Sequence, residues 1–296
     1  MSFSLPSFAK INLYLRILGK RPDGFHELCT IFQTVSLHDT ITFSEAEKLE
    51  MTCPQQIVPT DGRNLIIRSA LALQAASGTR KGAHIELDKR IPTPGGLGGG
   101  SSNAATALIG LSRLWKLELL PARLEAIARE LGSDVPFFLE GGTAVGTGRG
   151  DIVESMSDVT GDNILIVSPE IRVATKDAFA GSGAEALTSE GRKHSLTVCR
   201  KEAASLDLRH SVLINDLEPT VFAVHPEIER VKHTLLELGA VNAAMSGSGA
   251  SVFAIFDKQE TRQAAEKALD RENSWRRFAV STISRDQYRE ALKLER

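Results

Sequence analysis

Cysteine is scarce in this 296-residue chain: Cys29, Cys53 and Cys199 lie far apart and show no C-x-x-C spacing. That excludes a disulfide framework and argues against a zinc site. A charge excess of one sign is also missing, since the formal net charge is −2 with 24% charged residues. There is therefore no broad basic field for nucleic acid or an acidic membrane surface, and any anion must be bound locally. Apolar runs are short, none approaching the roughly 18 residues of a spanning helix. Residues 1–8 have neither the basic start nor the apolar core of a secretory signal. Internal repeats and low-complexity segments are absent as well. These features predict a cytoplasmic protein that binds neither nucleic acid nor membrane, and the length favours two domains over one.

What the chain does have is glycine at one place. Residues 91–105 read Ile-Pro-Thr-Pro-Gly-Gly-Leu-Gly-Gly-Gly-Ser-Ser-Asn-Ala-Ala, with five glycines in six positions. Before them, His84 to Asp88 alternates polar and apolar as a strand does, and after them Ala104 to Trp115 carries apolar residues at helical spacing. A glycine loop between strand and helix leaves several N–H groups free to converge on one anion at the positive end of the helix. Two familiar phosphate loops do not fit. Ser101 stands where a G-x-x-x-x-G-K-[ST] loop needs lysine, and again where G-x-G-x-x-G started at Gly96 needs its last glycine. The ending Ser101-Ser102-Asn103 predicts one hydroxyl capping the helix and another facing a metal-bound phosphate.

Elsewhere the residues predict an α+β chain. Phe8 to Leu18 is a strand with Lys10, Asn12 and Tyr14 on one face, and Arg21 to Gly24 is a turn before Phe25 and His26. Thr30 to Leu37 and Asp39 to Phe43 read as two further strands. Leu65 to Gln74 is an amphipathic helix after Asn64, and Pro121 to Gly132 is another. Asp134 comes next, directly before the apolar run Val135 to Leu139, where burial makes an unpaired carboxylate costly and a lysine its natural partner. A strand begins at Gly141, the domain boundary falls within 148–162, and a new strand begins at Asn163. Helices are expected from Thr175, over 195–206, over Pro226 to Leu238, over Lys258 to Leu269 and at the terminus from Arg285. Val241 to Met245 and Val252 to Phe256 flank a second glycine loop, Ser246-Gly247-Ser248-Gly249, which reads equally as a tight hairpin or a ligand clamp. A last strand covers Phe278 to Ile283.

Pro92 to Ala105 resembles the phosphate loop of the GHMP kinases, and three more segments sharpen the resemblance. These are residues 9–13 with 21–28, residues 132–138, and residues 245–250. Together they are similar to the branch of that family acting on 4-diphosphocytidyl-2-C-methyl-D-erythritol (CDP-methylerythritol), in the family's order over nearly the whole chain. The resemblance implies a two-domain GHMP-kinase-like α+β fold, residues 1–155 and 156–296, with the active site in the cleft between them. It implies phosphorylation of the 2-hydroxyl of CDP-methylerythritol with ATP and Mg²⁺, a step of non-mevalonate isoprenoid biosynthesis. Lys10 and Asp134 are then the catalytic pair. Pro94, Gly95, Gly96, Leu97, Gly98, Gly99, Gly100, Ser101, Ser102 and Asn103 hold the phosphates of ATP, with Ser101 toward the metal. Asn64 contacts the ATP base or merely caps its helix. Asn12, Phe25, His26, Thr175, Gly247, Ser248 and Gly249 bind the substrate, with Phe25 where tyrosine is more frequent and Glu140 where some relatives carry lysine. A sibling kinase acting on homoserine or mevalonate would have no reason for residues 22–26. A non-catalytic nucleotide-binding regulator would have none for Lys10 and Asp134.

Overall fold

The computed structural model describes residues 2–56, 58–181, 196–197, 200–201 and 205–294. Its first half is built on one long hairpin, β1 (Ser2–Lys20) and β2 (His26–Ser44), antiparallel along their length. The turn between them is closed by the Arg21 N–H donating to Phe25 O at 2.8 Å, with Gly24 at φ 86°. The two strands expected from Thr30 to Phe43 are one. The interruption near His38 is a bulge, where the register steps from Phe8 opposite His38 to Ala9 opposite Val35. A second shift between Asn12 and Tyr14 breaks the alternation. Tyr14 accordingly packs with Ile11 and Leu13, on the opposite side from that expected.

Around this hairpin a seven-stranded sheet runs in the order β3 (Leu49–Thr52), β4 (Ala83–Asp88), β2, β1, β8 (Ile214–Asn215). Of the two strands off this path, β5 (Thr143–Gly148) pairs with β2 beyond the point where β4 leaves it, and β6 (Ile152–Ser155) pairs with β5. A second sheet has the order β11 (Trp275–Val280), β7 (Ile164–Pro169), β10 (Val252–Ile255), β9 (Asn242–Met245). The α-helices among the described residues include α1 (Leu65–Ser77), α2 (Gly99–Trp115), α3 (Pro121–Leu131), α4 (Phe137–Glu140), α5 (Thr175–Ala180), α6 (Glu218–Val224), α7 (Pro226–Glu237), α8 (Gln259–Ala268) and α9 (Arg285–Ala291).

Three apolar clusters stack these parts into layers. Phe8, Ile41, Phe43 and Leu87 of the first sheet meet Ile66, Leu108, Leu111, Phe137 and Phe138 of the helices. On the other face Ile11, Leu13, Ile31 and Val145 meet Ile164, Ile166, Phe253 and Ile255 of the second sheet. Beyond it Val167, Val252 and Ala254 meet Val221, Ile228, Val231 and Leu235. The order is helices, sheet, sheet, helices.

Most periodic helices fall where the sequence predicts them; β8, α4 and α6 are too short to show a period, and β6 lies inside 148–162, the stretch expected to hold the domain boundary. The helix expected over 195–206 lies largely outside the described residues, as does most of the loop-like stretch after Gly181. α9 departs from a simple division at residue 155: Tyr288 and Leu292 are buried in the first cluster, not among the later strands.

Candidate active site

Lys10 sits in the middle of β1, 3% exposed. Its Nζ lies 3.2 Å from Asp134 Oδ2, donates to Asn12 Oδ1 at 2.5 Å, and stands 5.4 Å from the centre of the Phe32 ring. Period-two spacing puts Asn12 on the same face as Lys10. Asn12 in turn donates to Thr30 Oγ1 at 2.7 Å, and Thr30 donates to the Tyr14 carbonyl at 2.7 Å. An ammonium has three N–H donors, so these partners leave one for an oxygen brought between Lys10 and Asp134. The Asp134 side chain is 30% exposed, so the pair opens to solvent on that side. Its backbone is fixed where α3 stops at Gly132, with the Val135 N–H on Gly132 O and the Phe138 N–H on Val135 O.

The first glycine loop runs beside this pair. The Lys10 N–H donates to Leu97 O at 3.0 Å. Gly98 has φ 69°, and a Cβ there would stand 3.0 Å from Lys10 Cγ and 2.9 Å from the Phe138 ring. Helix α2 begins earlier than the apolar pattern predicts, at Gly99, with Gly98 as its cap and no capping side chain. The Ser102 N–H already closes onto Gly98 O, which leaves the N–H groups of Gly99, Gly100 and Ser101 as the helix's open donors. Ser102 and Asn103 turn inward. The Ser102 hydroxyl bonds Ser7 Oγ at 2.8 Å, and the Asn103 amide donates to Ser7 Oγ and Asp39 Oδ2, both at 2.8 Å. Their side chains anchor the loop and do not face its mouth, contrary to the expectation of a hydroxyl cap. The Ser101 hydroxyl stays on the outer side, 3.9 Å from where a Cβ of Gly132 would be, beside the turn that carries Asp134.

Asp39 is the hub of that anchor and was not visible in the sequence. Fully buried, it accepts Lys89 Nζ at 2.6 Å and the N–H groups of Arg90 at 2.7 Å and Ile91 at 2.8 Å. Burial pulls the Lys89 ammonium below its ordinary range even against Asp39. The chain entering the glycine loop and the helix leaving it are thus tied to one carboxylate.

The second glycine loop, between β9 and β10, locks into the first. Ser246 Oγ donates to Gly96 O at 2.9 Å and the Ser251 N–H to Gly95 O at 3.1 Å. A Cβ on Gly96, at φ 72°, would lie 2.0 Å from Ser246 O, so glycine is required there by the neighbouring loop. A Cβ on Gly247 would stand 3.3 Å from both Lys10 Nζ and Asn12 Oδ1. Ser248 and Thr175 hydroxyls meet at 3.1 Å, and Gly249 follows at φ 84°.

At the hairpin turn, Phe25 is 51% exposed with the Arg149 guanidinium 5.0 Å over its ring. His26 stacks on Phe179 at 5.3 Å with an interplanar angle of 22°. Burial, and secondarily the charge of Lys20, holds the His26 imidazole below its ordinary pKa. Phe179 and Arg149 were missed by sequence reasoning; for Phe179 the signal was its i+4 spacing from Thr175 on α5. Asn64 is the cap of α1, its Oδ1 accepting the Ile66 N–H at 2.9 Å and its amide donating to Pro59 O at 2.6 Å. It stands near the loop because Leu65 is the neighbour of Gly100. Pro94 lies at the loop's entry, away from the Lys10 pair in sequence, and Glu140 is exposed at the end of α4.

Comparison with known proteins shows the family of the chain. Residues 64–142 match the model of the GHMP kinases N terminal domain and residues 199–274 that of the GHMP kinases C terminal. A 4-diphosphocytidyl-2-C-methyl-D-erythritol kinase of Pelodictyon phaeoclathratiforme is 41% identical over 269 residues, 89% of this chain and 92% of that protein. One from Chlorobium limicola is 41% identical over 272 residues, 87% and 89% of the two chains. A crystal structure of 4-(cytidine 5'-diphospho)-2C-methyl-D-erythritol kinase superposes with TM-score 0.75 at 32% identity, covering 95% of this chain and 99% of that one. A homoserine kinase from Cytophaga hutchinsonii superposes with TM-score 0.69 at 22% identity, covering 97% and 96%, a likeness of fold.

Proposed function

The chain belongs to the 4-diphosphocytidyl-2-C-methyl-D-erythritol kinases of the GHMP family, and from that premise we propose that its ATP-dependent reaction takes place at Lys10 and Asp134. The acceptor is the 2-hydroxyl of CDP-methylerythritol, and the products are its 2-phosphate and ADP, in the non-mevalonate route to isoprenoid precursors. The observation that carries the reading is the Lys10–Asp134 pair at 3.2 Å, set beside the open N-terminus of α2 and beneath Gly247.

Asp134 orients the hydroxyl and accepts its proton, and the Lys10 ammonium stabilises the oxygen as it becomes a nucleophile. The N–H groups of Gly99, Gly100 and Ser101, with the helix dipole behind them, hold the phosphates, and residues 94–98 form the wall of that cradle. The ATP base is assigned to the side of that cradle bordered by Asn64, whose neighbour Leu65 faces Gly100. Among the described residues no group of three acidic, histidine or cysteine side chains could hold a metal by itself. That suits Mg²⁺, which takes few protein oxygens and keeps phosphates and waters. The Ser101 hydroxyl, on the outer side of the loop, would receive it, and the ion would neutralise charge on the transferring phosphoryl group. Asn12 and Thr175 with Gly247, Ser248 and Gly249 position the alcohol. Phe25 and His26, extended by Phe179, receive the cytosine by stacking and hydrogen bonding. The chain works as two units, 1–155 and 156–296, with α9 returning to the first, in the cytoplasm.

ADP release with CDP-methylerythritol, homoserine and mevalonate tests the assignment. Turnover with the first alone is expected; a preference for either of the others would remove the role assigned to Phe25 and His26.

A further inference from the structure

The segment Asn215-Asp216-Leu217-Glu218, from β8 into α6, makes a set of contacts that the phosphoryl transfer itself leaves unexplained. Asp216 grips β1: its N–H donates to Leu15 O at 2.9 Å, and its carboxylate accepts the Ile17 N–H at 2.9 Å and Arg16 at 3.1 Å. Asn215 and Glu218 grip the second glycine loop. The buried Asn215 amide donates to Met245 O at 2.7 Å and Gly247 O at 2.8 Å, while its Oδ1 accepts the Leu217 N–H at 3.0 Å. Glu218 accepts the Met245 N–H at 2.8 Å and Lys232 Nζ at 2.6 Å.

Gly247 is the residue over Lys10 and Asn12, and with no side chain and φ 57° it has little of its own to hold its peptide in place. A side-chain amide is suited to the task, because one NH₂ supplies two donors to two carbonyls without bringing in a charge. We infer that Asn215 is a positioning residue for phosphoryl transfer, holding the second glycine loop at a fixed height over Lys10 and Asn12 while Asp216 holds the strand that carries them. The inference rests on the proposed function, in which residues 247–249 close on the reacting groups.

Asn215→Asp tests it with almost no change of shape, since a carboxylate turns lone pairs toward both carbonyls. Two readouts are taken together on the full chain: amide hydrogen exchange over residues 245–249, and kcat and KM per folded molecule with whichever alcohol the parent phosphorylates. Exchange over 245–249 is expected to quicken at least tenfold with β7 unchanged, and kcat to fall at least tenfold with the KM for ATP within threefold. Asn215→Ser, which keeps one donor, should fall between the two and serves if the aspartate does not fold. Unchanged exchange in the loop, or faster exchange with kcat within twofold of the parent, overturns the inference. A parent active on another alcohol defeats the substrate assignment but leaves both readouts able to judge Asn215.

Discussion

A lysine ammonium inside a sheet needs a counter-charge, and in this fold Asp134 supplies it across the edge of the site. Asp134→Asn keeps the shape and a hydrogen-bonding group but cannot take a proton. It is expected to lower turnover by roughly 10²–10⁴-fold with little change in ATP affinity. Steady-state kinetics beside an ATP titration decide this, and turnover within threefold of the parent would reduce Asp134 to a packing role. The second residue-scale consequence concerns His26, whose imidazole is held below its ordinary value near 6.5 by burial first and Lys20 second. Well above about pH 6.5 both states are neutral, so His26 is indifferent to stability there. As pH falls further the unfolded chain takes the proton first, and the fold loses stability. An NMR titration should place His26 below a free imidazole, and Lys20→Ala should move it part of the way back. At this scale the sequence showed a carboxylate in an apolar run and a lysine in a strand, but their meeting came from family likeness. Pairs so distant in the chain have no local period to reveal them. Asp39 escaped notice for the same reason, being one acidic residue in a strand whose partners sit after β4 and inside α2.

Between elements, glycine spacing was legible but its cause was only half so. The sequence suggests glycines cleared for a phosphate; the structure adds that Gly96 and Gly98 are cleared for Ser246 and for Lys10 and Phe138. A valine at Gly98 therefore meets protein before it meets nucleotide, at a φ of 69° that β-branched residues scarcely adopt. Gly98→Val is expected to lower the melting temperature and abolish ATP binding together. Gly100→Ala, whose Cβ would find only Leu65 at 3.7 Å, should melt at or above the parent, by about 1 kcal/mol of helix propensity at most. Thermal melts with nucleotide titrations separate the two, and a Gly98→Val protein that melts like its parent would contradict the close packing of Gly98 on Lys10 and Phe138. The same scale explains the shift in where α2 begins. Apolar periodicity marks only the buried face from Ala104 onward, whereas the first turn is made of residues whose side chains are small or engaged elsewhere.

At the scale of the molecule, the periodic helices were readable and the long hairpin only in pieces, because its bulges break the alternation, and the return of α9 was not, since its apolar residues specify burial without naming the cluster that receives them. Tyr288 lies flat against Gly141, and its hydroxyl donates to Phe138 O at 2.5 Å. Burial raises its pKa far above the ordinary phenol value, so it remains a donor at any working pH. Tyr288→Phe strands that carbonyl and is expected to cost about 1–3 kcal/mol in denaturant unfolding. A few-fold loss of kcat should accompany it, because Phe138 belongs to the turn behind Asp134. Stability and kcat both equal to the parent's would separate α9 from the site. During synthesis this arrangement imposes an order of events. Lys10, the glycine loops and Asp134 all leave the ribosome before Tyr288 does, so a nascent chain holds the proposed reacting groups while the turn behind Asp134 still lacks the packing of α9. A chain cut just short of α9 would carry Lys10, both glycine loops and Asp134 without the packing that Tyr288 gives the turn behind that carboxylate.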